Sequence, residues 1–145
     1  MRAFRFDHVH LRCHNPEAMG DFFATMFNAK VSKGVYPPGT LYPGQTRVSI
    51  EAGGQRILTA PAHPVDPMTE APPFPYYGVE HIGFTVDDVD AACAELAAKG
   101  AAVAIGPLTR DAATRLAFIR GPEGIMIELV QDRVDAGSPG AFLKT

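Results

Sequence analysis

At 145 residues, 46% of them hydrophobic, the chain is long enough for one compact domain or two small modules sharing a core. A net charge of only −3 and the lack of any basic run argue against a nucleic-acid partner. No apolar stretch approaches the length of a membrane span, and the opening residues alternate without a signal peptide's apolar core, so the expectation is a soluble cytoplasmic protein with no membrane partner.

Residues 4–13 predict a first strand. One face carries Phe4, Phe6, His8, His10 and Arg12, and the other Val9, Leu11 and Cys13. A helix follows, with Asn15 as N-cap, Pro16 at its first position and Glu17 near its positive end. Met19, Phe22, Phe23 and Met26 form its apolar stripe, and Asn28 is a left-handed stop. Strands are predicted over 31–35, 47–52 and 55–60, with Gly53-Gly54 as the tight turn between the last two.

Residues 61–78 are dense in proline and predict a linker that is stiff in places. The order then repeats. A strand over 79–86 carries His81, Gly83 and Thr85 on one face, and Asp87 or Asp88 caps a helix with Val89, Ala92, Cys93 and Leu96 as its stripe. Gly100 ends that helix, and strands follow over 103–105, 115–119 and 125–131. This divides the chain into a first module (1–60), the linker (61–78), a second module (79–132) and a weakly folding tail (133–145). Cys13 and Cys93 occupy non-equivalent positions on apolar faces, which predicts buried, inert thiols.

The repeat is visible residue by residue. At one constant offset Asp7 falls on Glu80, His8 on His81, Leu11 on Phe84 and Asn15 on Asp88. The fold class is therefore α+β, two copies of a βαβββ unit. The polar sheet faces are either solvated, the ordinary case for an antiparallel sheet, or close into a cup holding His8, His81 and Glu128. Two imidazoles and a carboxylate suit a divalent first-row metal: Fe, Mn, Zn, Co or Ni.

His10 shares the face of His8, and either supports it or transfers protons. Glu51 is a base beside the metal or an ion-pair partner of Arg47. Arg12, Arg47 and Arg115 are read on the polar face, as holders of a substrate carboxylate or phosphate or as an ion-paired rim.

The segments Val79-Glu80-His81-Ile82-Gly83-Phe84-Thr85-Val86-Asp87-Asp88 and Gly121-Pro122-Glu123-Gly124-Ile125-Met126-Ile127-Glu128-Leu129 resemble the vicinal oxygen chelate superfamily. That superfamily includes glyoxalase I, methylmalonyl-CoA epimerase, fosfomycin-resistance thiol transferases, extradiol dioxygenases and bleomycin-resistance binding proteins. The resemblance, over residues 4–131, implies two βαβββ modules forming a cupped mixed sheet with helices on its outer face. It implies metal ligands at His8, His81 and Glu128. The family's fourth ligand position falls on Leu58 or Thr59, neither a good ligand, where glyoxalase I and the epimerase usually place Glu, Gln or His. The Tyr and upstream His that extradiol enzymes favour have no counterpart: Phe118 and Gly121 stand in that region, and no His lies between 82 and 128.

The leading expectation is a metal-dependent glyoxalase-like isomerase or lyase acting on a small-molecule substrate, with His10 or Glu51 moving a proton. The alternatives are an Fe(II) extradiol-type dioxygenase and a non-catalytic binding protein for a small molecule such as an antibiotic. A homodimer is expected, with the modules paired within one chain or swapped across two.

Overall fold

A computed structural model describes residues 2–111 and 114–132. Two compact units divide the chain, the first ending at Pro72 and the second beginning at Pro73. The first contains strand β1 (Val9–Arg12), helix α1 (Pro16–Phe27) and strands β2 (Lys30–Val35), β3 (Thr46–Ala52) and β4 (Gln55–Ala60). The second repeats the order with β5 (His81–Thr85), α2 (Val89–Ala98), β6 (Ala102–Thr109), β7 (Thr114–Arg120) and β8 (Met126–Asp132). Each unit is one βαβββ module. The sheets run β1-β4-β3-β2 and β5-β8-β7-β6, and in each the first strand lies parallel to the last while the remaining pairs are antiparallel. The proposed tail from residue 133 on lies outside the described residues.

Local chemistry explains the element ends. The Asn15 side chain accepts from the Ala18 amide at 3.0 Å, Pro16 opens α1, and Asn28 closes it at φ 51°. Asp88, of the two expected candidates, caps α2 by accepting from the Ala91 amide at 2.9 Å. The first strand is shorter than residues 4–13. Val9 pairs with Ile57, so only Arg56 and Gln55 remain before β4 runs into the Gly53-Gly54 turn. The residues ahead of Asp7 have no strand to pair with, and Phe4 and Phe6 are exposed. The second strand of the second unit is longer than the expected 103–105. It continues through Gly106 and Pro107 because β6 is a sheet edge, where register shifts and a missing amide donor are tolerated.

Each helix covers one face of its own sheet. Met19 and Phe23 of α1 are buried with Val48, Ile50, Ala52 and Ile57, and Val89, Cys93 and Leu96 of α2 with Ala117, Ile119, Ile127 and Leu129. Gly20 allows α1 to approach closely, since an added Cβ would lie 2.8 Å from Val48 Cγ1 and 3.1 Å from Val31 Cγ1. Both cysteines are buried. Among the described residues no helix is long and apolar enough to cross a membrane.

Candidate functional site

Strand periodicity leaves each sheet with a face opposite its helix, and the expected site residues divide between the two units. In the second unit His81 opens β5 and Glu128 lies on the neighbouring β8. His81 Nε2 stands 3.3 Å from Glu128 Oε2. Gly83 is the residue paired with Glu128, and a Cβ there would make only ordinary contact with Oε2, at 3.6 Å. His81 Nδ1 lies 3.0 Å from Glu80 Oε2, and the imidazole edge packs on Phe118, with ring centroids 5.2 Å apart. A carboxylate only accepts, so the Glu80 contact takes a proton on Nδ1, and in the neutral imidazole of that tautomer the Nε2 lone pair faces Glu128.

In the first unit His8 immediately precedes β1. Its Nδ1 lies 2.6 Å from Asp7 Oδ2, and Arg56 Nη2 donates to both oxygens of the same carboxylate, at 2.5 and 2.6 Å. The His8 hydrogen bond, then Arg56, holds the Asp7 carboxyl below its ordinary range. Both histidines thus have the same kind of neighbour, an acid one residue earlier that ties Nδ1. The repeat in the sequence includes Asp7 and Glu80, and their contact with the imidazoles is visible only in the structure. Their equivalent positions were the signal.

His8 and His10 rings meet edge to face at 6.3 Å. Partial burial, then the charges of Arg12 and His8, lowers the His10 pKa. The Glu51 carboxylate lies 3.7 Å from Lys30, which resolves its ion-pair partner as Lys30 rather than Arg47. Thr59 is buried, with its hydroxyl donating to the Val48 carbonyl at 3.1 Å, so it points into the helix-covered core. Leu58 faces the opposite way, beside His10.

The arginines separate sharply. Arg115 does not lie on the open face as expected. Its partner across the sheet is Gln131, and its guanidinium reaches the α2 side, where Nε and Nη2 engage the Asp90 carboxylate, Nη2 at 2.6 Å, and Nη1 donates to Thr109 at 3.1 Å. The strand begins at Thr114, and that phase turns Arg115 toward the helix. The Arg115 bond holds Asp90 below the usual carboxylate range. Arg12 donates to the Pro61 carbonyl at 3.1 Å and stacks over the Tyr42 ring at 5.0 Å, so it anchors loops. Arg47 lies on the open face of β3 beside a groove that includes His10 and Ser49.

Duplicated βαβββ modules with an acid-tethered histidine opening each define a vicinal-oxygen-chelate fold. The chain belongs to the Glyoxalase/Bleomycin resistance protein/Dioxygenase superfamily, whose family description matches residues 5–129. A probable lactoylglutathione lyase of Vibrio parahaemolyticus is 40% identical over 67 residues, 41% of this chain and 45% of that protein, so the match spans less than half of the curated relative. A glyoxalase family protein from Bacillus cereus superposes with a TM-score of 0.72 at 21% identity, over 91% of this chain and 96% of that one. A glyoxalase family protein from Enterococcus faecalis gives 0.68 at 18% identity, over 87% and 96%. A fosfomycin resistance protein from Listeria monocytogenes, solved with Mn(II), gives 0.63 at 15% identity, over 92% and 94%.

Proposed function

We propose that this protein is a metal-dependent enzyme of the glyoxalase type. It binds a small oxygenated organic substrate at a divalent first-row cation and moves a proton in an isomerase or lyase reaction. His8, His81 and Glu128 hold the cation, which is Fe, Mn, Zn, Co or Ni. When bound, the cation supplies Lewis-acid polarisation of a substrate carbonyl or enolate oxygen.

The observation that supports this reading is the His81–Glu128 pair. Nε2 and Oε2 face each other at 3.3 Å while Nδ1 is already engaged by Glu80. Two atoms that both offer lone pairs repel at that distance unless a proton or metal cation lies between them. The two-histidine, one-carboxylate donor set suits a borderline cation, and the Asp7 and Glu80 carboxylates orient and strengthen their imidazoles. His10 takes no hydrogen bond among the described residues and lies against His8, so it is the group that accepts and returns the substrate proton. Glu51, held by Lys30, serves in its place only if that pair opens. The enzyme works in the cytoplasm as a homodimer, an arrangement common in the superfamily.

The test is elemental analysis of protein purified without chelator. Stoichiometric first-row metal is expected, falling to background in His81→Ala and Glu128→Ala variants whose circular dichroism is unchanged. Wild-type protein without first-row metal, or variants that keep it fully, would overturn the reading. The first outcome points instead to a metal-free binding protein.

A further inference from the structure

We propose that the open face of the first unit's sheet carries a subsite for a small oxyanion, a carboxylate or phosphate arm of the substrate, held by the Arg47 guanidinium with the Ser49 and Ser32 hydroxyls beside it. This deepens the function proposed above by naming a substrate class, and it rests on that reading only in assigning the anion to the substrate. The groove measures about 410 Å³. Its floor is one continuous cross-strand row: His10 pairs with Leu58, Leu58 with Ser49 and Ser49 with Ser32. Directly opposed side chains on one sheet face stand about 5 Å apart, so the two hydroxyls are neighbours and Leu58 separates them from His10.

Arg47 lies one row along. Its partner across the strands is Gly34, and a Cβ there would stand 3.4 Å from Arg47 Nε and 3.9 Å from Cγ. The arginine stem therefore lies over the glycine, where a larger residue would crowd it.

The charge pattern selects the ligand. Arg56 is tied by Asp7, Lys30 by Glu51, Lys33 by Asp21, and Arg12 by the Pro61 carbonyl and Tyr42 ring. Arg47 makes no ion pair among the described residues, and no Asp or Glu is among the described residues lining the groove. A forked cation beside two hydroxyls, without a competing carboxylate, matches a planar carboxylate or a phosphate and disfavours a cation. Tyr36 walls one side. Its hydroxyl donates to the Thr59 carbonyl at 3.4 Å, and its ring packs on Tyr42 at 5.2 Å.

The ¹⁵N-labelled 145-residue chain is titrated with acetate and, separately, inorganic phosphate at low ionic strength, with acetamide as the neutral control. Each titration is repeated after dialysis against EDTA. The expected result is amide shifts centred on Ser32, Gly34, Arg47 and Ser49 in both samples, with acetamide silent. Arg47→Gln is expected to weaken binding about tenfold, and Lys30→Gln, which removes an already paired cation, less than about twofold. Unchanged affinity in a folded Arg47→Gln protein overturns the subsite. Shifts that vanish after EDTA overturn it too, since the anion was then on the metal. Groove shifts that persist in protein found to hold no metal keep the subsite while the catalytic reading falls.

Discussion

Removing the carboxylate behind His81 tests the site at its second layer. Glu80 Oε2 lies 3.0 Å from His81 Nδ1, and the Glu80 side chain is 25% exposed. A hydrogen bond to a charged group contributes about 1.5–3 kcal/mol, and partial exposure places this one near the lower end, about 1.5–2 kcal/mol. At 1.4 kcal/mol per decade, Glu80→Ala should weaken metal binding about 10- to 30-fold. Glu80→Gln keeps an acceptor and loses only the charge, so the loss should be a few-fold. Asp7→Ala is the internal comparison. Its carboxylate is 65% exposed, so water screens the contact and can replace it, and a smaller effect than that of Glu80→Ala is expected. Dissociation constants would be measured by competition against a chromophoric chelator, with circular dichroism confirming the fold. Wild-type affinity in Glu80→Ala, or a larger loss in Asp7→Ala, would refute the claim that these acids orient the ligand imidazoles.

The packing and the helix-side charges make their own predictions. Gly20→Ala should lower the urea midpoint, because a methyl 2.8 Å from Val48 costs about 1–3 kcal/mol of overpacking against about 1 kcal/mol of helix propensity; a raised midpoint would refute the close approach. Asp90 has its pKa lowered from 3.8 by Arg115, so the stability it contributes is present well above pH 3.8 and disappears as pH falls through the folded-state value. The gap in urea midpoint between wild type and Asp90→Asn should therefore close on acidification from pH 7 to pH 3, and a gap that persists would count against the pair. Burial, then the Asp90 charge, raises the Cys93 thiol above its ordinary 9.0, so iodoacetamide at pH 8 should label it slowly in the native protein and quickly in urea; equal rates would contradict its burial.

Much of the secondary structure was legible because its signals are local. Asn15-Pro16 and Asp88 cap helices wherever they are followed by an apolar stripe, and β4 runs over the residues that its alternation and the preceding Gly-Gly turn indicate. Strand ends were less legible, because a strand stops where its partner stops. Nothing in Phe4-Arg5-Phe6 announces that β4 turns away at Gly54. Among the site residues, His81 and Glu128 could be paired from the repeat and the strand phase. Arg115 could not, since a phase difference of one residue exchanges the open face for the helix side.

The sequence alone determined the duplication, the order of elements in each module, and the acid-histidine dipeptide that opens both copies. These are local or self-referential patterns, and they need no knowledge of what lies across a sheet. Only the tertiary structure decided which charges are occupied. Arg115 is taken by Asp90, Arg12 by a carbonyl and a ring, and Glu51 by Lys30, while Arg47 lies over Gly34 without an acid among the described residues. The physical reason is that pairing depends on register between strands far apart in the chain, and one sequence pattern is compatible with several registers until the cores pack.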